Sequence, residues 1–406
     1  MEEVLLRFPH IGYQIFEQLD NSFLTVCRGV SNSWKNFIDN EKLPWSRMII
    51  QHIKPLTSPW KNFLQKSSVK FLVEMATSVV QHFKEFEFYQ ENTDLINTVP
   101  LHFAAMTGNT EMIKRLIKIG AKLNEIDSFQ CTPLHYAARS DHLTAYQLIM
   151  ENNPIKNPDS GYMTPFHMAA KHGHLSICKL IINNVEDKNP KNVDEETPLH
   201  YAAGGGFIEI CQLIIDKVIE KNPGDESGTT PLHIAVSCGN LAVFKLIFNN
   251  IEDKNPQGEN GITPLHIAAK LDNLKFFRFI FENIKDKNPR DNNGLTPLHY
   301  AAESGYLAIC QLIIENVEDK NPVDLLEDAL TPLHLAARFG HYDICQLFME
   351  NIQYDSKSFE GETPLLEAYR NWHDEVCNMM MSYPGVSNKR SVHEVSSKHR
   401  GPKFAK

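Results

Sequence analysis

The sequence predicts an all-α solenoid, made of helix-turn-helix repeats with short hairpin-like loops and preceded by a small helical domain. A tetrapeptide, Thr-Pro-Leu-His or a close variant, recurs along the chain. From Pro100 to Pro364, consecutive copies of its proline are about 33 residues apart. A period of about 33 residues is typical of stacked supersecondary units and not of a single globule. The nine copies occupy 99–102, 132–135, 164–167, 197–200, 230–233, 263–266, 296–299, 331–334 and 363–366.

The tetrapeptide marks the start of the first helix in each repeat. Thr is a favourable N-cap because its hydroxyl can accept a backbone N–H of the first turn, and Pro fits the first helical position, where no N–H is needed. A pair of small Ala residues follows in most repeats, and a Gly such as Gly173 then ends the helix. Asp141, Asp272 and Trp372 replace this Gly in three repeats, where looser turns are expected.

A second helix with an apolar stripe follows each first helix. In the third repeat, Ile177, Leu180 and Ile181 have the spacing of one buried helical face. The tripeptide Lys-Asn-Pro then occurs six times, and it is expected to form a turn that stops the helix. Its prolines are Pro158, Pro190, Pro223, Pro256, Pro289 and Pro322.

These residues resemble the ankyrin repeat, whose signature is Thr-Pro-Leu-His-x-Ala at a period of about 33 residues. The resemblance covers 94–384 and implies nine stacked repeats with a concave binding groove. Segment 120–124, Gly-Ala-Lys-Leu-Asn, keeps the family pattern after the second helix, whereas later repeats carry Glu-Asp-Lys-Asn-Pro, which predicts a differently shaped turn. The longer step from Pro297 to Pro332 predicts that the loop at 325–329 projects further than the others.

Composition and charge restrict the classes of partner. The formal net charge is −10, and the segment 385–406 holds six Lys or Arg and one Glu, which leaves −15 for the rest of the chain. An acidic body argues against nucleic-acid binding, and no apolar stretch is long enough to span a bilayer. We therefore expect a cytoplasmic, monomeric protein that binds neither nucleic acid nor membrane. The basic tail is expected to be a disordered, solubilising end, with a weak nuclear-import signal as the alternative.

The sequence contains no catalytic or metal-binding constellation: a Gly-rich phosphate loop, His-Glu-x-x-His and Cys-x-x-Cys are all missing. We expect no enzymatic activity, no cofactor and no metal, and the repeat histidines are expected to make structural hydrogen bonds where loop meets helix. Five cysteines share one position, thirteen residues after the repeat Pro, and equivalent helices lie about 8–10 Å apart, too far for disulfides. They are expected to be buried, reduced thiols: Cys178, Cys211, Cys310, Cys345 and Cys377.

Residues 1–48 predict three short helices whose apolar residues recur at helical spacing. Three short helices bury little surface alone, so their apolar faces are expected to contact a partner. The leading Pro9, Ile-Phe-x-x-Leu-Asp at 15–20, Val-Ser-x-x-Trp at 30–34 and a closing Trp45 make this segment similar to an F-box. Phe8 stands where that family prefers Leu, and Gly12 where it often has an acidic residue.

The F-box resemblance implies docking onto the Skp-type adaptor of a cullin–RING ubiquitin ligase. The alternative is that 1–48 are a plain helical cap on the first repeat, although 49–93, a linker with a capping helix, fits that role better. The residues implied at the adaptor-facing surface or its support are Pro9, Ile11, Ile15, Leu19, Leu24, Val30 and Trp34.

The repeat pattern leaves certain positions free to vary, and these positions predict the partner-binding groove. They are the sixth and seventh residues after each Pro, the residue after each His, and the tips of the loops. Tyr and Arg are frequent interface hot spots, so repeats 2 and 3 are predicted to form a locally basic, aromatic-lined groove. The predicted groove residues are Tyr136, Arg139, Tyr162, Lys171, Tyr201, Lys270, Tyr300, Arg338 and Phe339.

Together these features predict a protein-binding adaptor that is the substrate-recognition subunit of a Skp-adaptor/cullin/F-box ubiquitin ligase, with the target protein in the repeat groove. The alternative is a repeat scaffold or inhibitor with no ligase link. An enzyme with an appended repeat array is nearly excluded, because no segment outside the array is long enough for a catalytic domain.

Overall fold

Eighteen α-helices in nine pairs account for the regular structure of the described residues, together with a short 3₁₀ helix at Glu259–Gly261. A computed structural model describes residues 100–118, 120–127, 129–326, 329–352 and 363–383, and no β-strand occurs there. The domains predicted at 1–48, 49–93 and 385–406 lie outside these ranges. The helices are α1 Pro100–Met106, α2 Thr110–Lys118, α3 Pro133–Arg139, α4 Leu143–Glu151, α5 Pro165–His172, α6 Leu175–Asn184, α7 Pro198–Gly205, α8 Ile208–Ile215, α9 Pro231–Ser237, α10 Leu241–Asn250, α11 Pro264–Lys270, α12 Leu274–Asn283, α13 Pro297–Ser304, α14 Leu307–Asn316, α15 Pro332–Arg338, α16 Tyr342–Asn351, α17 Pro364–Arg370 and α18 Asp374–Ser382.

The helices fall into two compact units, an N-terminal unit that ends at Val193 and a C-terminal unit that begins at Asp194. The N-terminal unit contains the described helices α1–α6, and the C-terminal unit contains α7–α18. Within each unit, first helices pack on first helices of the neighbouring repeat and second helices on second helices. This arrangement confirms the predicted all-α fold of helix-turn-helix repeats.

A reciprocal capping box begins the first helix in seven repeats, from Thr132 to Thr331. The Thr side chain accepts the N–H of the His three residues later, and that His accepts the Thr N–H at its Nδ1, over 2.9–3.2 Å. In the last repeat, where Leu366 replaces His, only the Thr363 oxygen caps the helix. The predicted Thr cap is therefore confirmed, and His supplies its second arm.

The same histidines join consecutive repeats. His135 Nε2 lies 2.9 Å from the Met163 carbonyl oxygen, and His266 Nε2 lies 3.2 Å from that of Leu295. Because Nδ1 accepts the Thr N–H, the proton resides on Nε2, which donates to the carbonyl. Burial lowers the pKa of His135 and His266 to about 4 and that of His299 to about 3. The imidazoles are therefore neutral at pH 7, and the expected structural hydrogen bonds are confirmed.

The turn between the two helices of a repeat has one conformation throughout the described chain. Gly173 ends α5 in the left-handed region at φ +80°. Asp141, Asp272 and Trp372 take the same region, at φ +57°, +53° and +64°. The expectation of looser turns at these three positions was wrong. The helices packed on both sides of the turn hold its backbone in the left-handed region, although that region is unfavourable for a residue with a Cβ.

The Glu-Asp-Lys-Asn-Pro segments form turns in which the Asp accepts the N–H of the Asn two residues later, whereas the buried side-chain oxygens of Asn189 and Asn321 have no hydrogen-bond partner among the described residues. In the segment at 252–256, Asp253 Oδ1 accepts the Asn255 N–H at 3.0 Å, and Lys254 Nζ donates to the Phe248 carbonyl at the end of α10. Asn255 Oδ1 accepts the N–H of Leu265 in the first turn of α11 at 3.1 Å. The segment therefore ends one helix and caps the next, which the turn prediction did not include.

The core consists of the small first-helix residues and the apolar stripe of the second helices. The five cysteines at the shared position are buried and free, and burial raises the pKa of the Cys178 and Cys310 thiols to about 12. The prediction of buried, reduced thiols is therefore confirmed. Among the described helices, none has the length and apolar character needed to cross a bilayer.

Candidate protein-binding groove

The loops that precede each Thr-Pro step are here called finger loops, and several of them are shaped by an Asp. In the N-terminal unit, Asp127 Oδ1 accepts the N–H groups of Phe129 and Cys131, both at 2.9 Å. This bonding leaves Phe129 at the tip, 47% exposed, and Tyr162 in the next finger loop is 68% exposed. Two aromatic side chains are therefore available at the finger tips of this unit.

Tyr136 is held in place by its own finger loop. Its hydroxyl donates to Asp127 Oδ2 at 2.5 Å, and its ring meets His102 edge-on with centroids 5.7 Å apart. Burial and the bond to Asp127 raise the pKa of the Tyr136 hydroxyl, so it remains a donor. Tyr136 therefore presents a fixed, half-buried ring to a partner, with its hydroxyl already occupied.

Arg139 and Lys171 are exposed at the ends of α3 and α5, two helices that pack directly on one another. The Arg139 carbonyl lies 2.9 Å from His174 Nε2. The pKa of His172 is lowered, first by burial and then by its proximity to Arg139, His174 and Lys171. Arg139 and Lys171 therefore share one region of the N-terminal unit, which also contains Asp141, 3.6 Å from His174; a basic groove there stays a prediction.

In the C-terminal unit, the predicted tyrosines have the same hydroxyl anchoring as Tyr136. Tyr201 donates to Glu196, and Tyr300 donates to Asp291 Oδ2 at 2.8 Å. Lys270 Nζ lies 5.8 Å from the centroid of the Tyr300 ring, a cation–π distance. Lys270 and Tyr300 therefore contact each other before any partner arrives.

Arg338 is also paired within the C-terminal unit. Its Nε and Nη2 donate to the Glu367 carboxylate at 2.8 and 3.3 Å, and Glu367 is buried. Phe339 is exposed and stacks on His341 with centroids 6.4 Å apart. The predicted cation at this end of the groove is therefore part of a bidentate ion pair, which restricts its side chain.

Sequence reasoning missed the acidic residues that bind the predicted groove side chains within each unit. Asp127 and Asp291 both lie six residues before a repeat Pro, so their period was visible in the sequence. Glu367 had a weaker signal: it takes the place of an apolar residue such as Leu335 in the preceding repeat. The predicted adaptor-facing residues at 9–34 lie outside the described residues. In the part that the structure describes, no three His, Cys, Asp or Glu side chains are placed to hold a metal ion.

The paired helices, the hairpin-like finger loops and the repeat-to-repeat bonds define a solenoid of stacked helical repeats. A sequence model for ankyrin repeats (3 copies) matches residues 65–160, 166–258, 243–324 and 317–391. These ranges cover well over half of the chain, which therefore belongs to the ankyrin-repeat family. A comparison with curated proteins found no match.

Membership of this family gives the chain a protein-binding role. Ankyrin-repeat proteins are generally protein-interaction modules without enzymatic activity of their own. Stacked repeats present an extended surface to which several neighbouring units contribute side chains. The exposed residues of the first helices and finger loops are the candidate contacts.

Proposed function

We propose that this chain is a protein-binding adaptor that serves as the substrate-recognition subunit of a Skp-adaptor/cullin/F-box ubiquitin ligase. The repeat groove holds the target protein, and residues 1–48 dock onto the Skp-type adaptor. The observation that carries the target-binding part is the exposure of Arg139 and Lys171 on adjacent first helices. The ligase part rests on the F-box-like motif around Pro9, Leu19 and Trp34.

The N-terminal unit is the part of the groove that we assign to the target. Arg139 is exposed at the end of α3, and exposed Phe129 and Tyr162 stand on finger loops of the same unit. In the C-terminal unit, by contrast, Lys270 lies over Tyr300 and Arg338 pairs with Glu367. A partner would displace fewer existing contacts at Arg139 than at Arg338. Less of its binding energy would therefore be lost to breaking contacts within the chain.

In this role the chain breaks and forms no covalent bond. It holds the target close to a conjugating enzyme that the ligase recruits, which raises the effective concentration of a target lysine at that enzyme. The groove therefore needs shape and charge complementarity to the target, and no nucleophile or general base.

The adaptor assignment predicts that the purified full chain forms a complex with a purified Skp-type adaptor at micromolar concentration. Replacing two apolar residues of the motif, Ile15→Glu with Leu19→Glu, should abolish the complex, because charges would enter an apolar interface. The matched variant Gln14→Glu with Gln18→Glu adds the same charge at neighbouring polar positions and should still bind. Size-exclusion chromatography with light scattering measures the complex.

Absence of a complex with the unsubstituted chain would overturn the ligase assignment. The chain would then be a scaffold or inhibitor that binds proteins through the repeats alone. Equal loss of binding in both double variants would also count against the motif, since the effect would not depend on the apolar positions.

A further inference from the structure

Trp372 is an unusual residue on the described surface of the C-terminal unit. It occupies the turn between α17 and α18, where six of the nine repeats have Gly. Its backbone has φ +64°, and its side chain is 86% exposed. A bulky residue in the left-handed region is strained; the two packed helices hold the backbone, but the exposed Trp372 side chain makes little contact that would offset the strain.

A surface pocket of 310 Å³ opens beside Trp372. Tyr342, Asp374 and Glu375 are among the residues that line it, and both acidic residues are exposed. His373 also lines the pocket, and its Nε2 lies 3.0 Å from the Arg338 carbonyl oxygen. Gly340 allows this ring to approach, because a Cβ there would lie 2.5 Å from His373 Nδ1.

The lining of this pocket is aromatic and acidic, and neither Lys nor Arg belongs to it. Elsewhere in the C-terminal unit, lysines of the chain itself lie over aromatic rings. The pairs are Lys245 and Phe279, Lys254 and Phe248, Lys287 and Phe281, and Lys270 and Tyr300, at 4.9, 4.9, 4.9 and 5.8 Å. No Lys or Arg of the described residues covers Trp372 in this way.

We propose that this pocket binds an arginine side chain from a basic segment of a partner protein. The guanidinium would stack on the Trp372 indole and pair with the carboxylates of Asp374 and Glu375. Arginine fits better than lysine, because its planar, weakly hydrated group both stacks on aromatic faces and bonds carboxylates side by side. The site is separate from the residues assigned to the ligase target and does not depend on the ligase proposal.

The test uses the full chain labelled with 5-fluorotryptophan and a hexapeptide of alternating Arg and Ala. The chain has four Trp, so four fluorine resonances are expected, and the one lost in Trp372→Gly identifies Trp372. Titration with the peptide should shift this resonance saturably and leave the other three unchanged. A hexapeptide of alternating Glu and Ala should cause no shift.

Two variants separate this site from general attraction to an acidic protein. Asp374→Asn with Glu375→Gln should weaken binding of the Arg peptide about tenfold, since the ion pairs are lost while the indole remains. Glu282→Gln with Glu315→Gln removes the same charge from exposed positions on second helices and should leave the affinity nearly unchanged. Circular dichroism of each variant confirms that the helices are intact.

Three results would overturn the proposal. The Trp372 resonance could fail to respond to the Arg peptide, or the two double variants could weaken binding equally. The chain's own basic tail could also fill the pocket, in which case Lys389→Gln with Arg390→Gln would move the Trp372 resonance without peptide. That last result would assign the pocket to the tail and not to a partner.

Discussion

At the scale of single residues, the repeat histidine shows how one side chain can serve two elements. Its Nδ1 accepts the N–H of the Thr that begins its own helix, and its Nε2 donates to a carbonyl in the next repeat. A doubly protonated ring could not accept at Nδ1. The folded structure therefore needs the neutral ring, and the lowered pKa of His266 keeps the ring neutral at pH 7.

Residues of one type differ in how free they are to bind. Arg139 is exposed at the end of α3, whereas Arg338 is bidentate to buried Glu367. Both were predicted as groove residues from their repeat position alone. Repeat position shows which side of the helix a residue occupies, but the pairing depends on what the neighbouring repeat places opposite.

Charge reversal in the N-terminal unit tests the target-binding groove. Arg139→Glu with Lys171→Glu should weaken binding of captured target proteins about tenfold or more, because acidic target surfaces would meet like charge. Quantitative mass spectrometry of proteins captured from a cell lysate by the full chain measures the effect. Lys114→Glu with Lys179→Glu, on the second helices of the same unit, gives the matched control and should retain the captured set. The same losses with both variants would contradict the assignment.

At the scale of elements, the first helices of the array depend on bonds supplied from outside them. The first helices are seven or eight residues long, so they have too few internal bonds to be stable alone. In the segment at 252–256, Lys254 covers the end of α10 and Asn255 caps the start of α11. The segment at 252–256 therefore couples two consecutive repeats, a role that Asn189 and Asn321 of the other two Glu-Asp-Lys-Asn-Pro segments do not share, because their side-chain oxygens have no hydrogen-bond partner among the described residues.

The capping role of Asn255 predicts a measurable loss of stability. Asn255→Ala leaves the Leu265 N–H without its partner and should lower the free energy of unfolding by about 1 kcal/mol. Asn249→Ala, at an exposed position of α10, should change it by less than about 0.5 kcal/mol. Urea unfolding followed by circular dichroism measures both. Equal values for the two variants would show that the Asn255 side chain does not cap α11.

At the scale of the whole molecule, the buried histidines make the described array sensitive to acid. The pKa of His135 and His266 falls to about 4 and that of His299 to about 3, against an ordinary value of 6.5. The contribution of these histidines to the free energy of unfolding is fully present above pH 6.5, where the rings are neutral in both the folded and the unfolded chain. Below pH 6.5 the histidines bind protons in the unfolded chain but not in the folded chain. The free energy of unfolding therefore decreases with falling pH until the pKa of the folded state is reached.

Acid sensitivity therefore predicts a falling urea midpoint between pH 7.5 and pH 5.5, a window above the range where most carboxylates titrate. Each neutral histidine adds roughly 1.4 kcal/mol per pH unit to the slope of the unfolding free energy below its unfolded pKa. His266→Gln with His299→Gln should be less stable at pH 7.5 yet show a shallower pH dependence. An unchanged slope in this variant would show that these two rings are not the source.

The fold was predictable because the same sequence pattern occurs in nine copies. Each Thr-Pro step gives a helix start, and the period of about 33 residues gives the stacking, so errors at one repeat are corrected by the others. The turns at Asp141, Asp272 and Trp372 were predicted less well, since local preference favoured Gly there. Tertiary packing overrode that preference at all three positions.

The candidate site was predictable only in part. The sequence indicated which residues lie on the first helices and finger loops, and it placed Arg139, Lys171 and Tyr162 among them. It did not show that the Tyr300 hydroxyl is bonded to Asp291 or that Glu367 holds Arg338, because these pairs come from different elements of the chain.

The sequence by itself determined the repeat, the helix pairs, their caps and the ankyrin family, because all of these follow from local patterns within one period. The tertiary structure alone decided which side chains are occupied and which remain available, since that depends on the partners that neighbouring repeats bring within bonding distance. Trp372 illustrates the division: its position in the turn is visible in the sequence, but its exposure beside Tyr342, Asp374 and Glu375 appears only when the last two repeats are packed together.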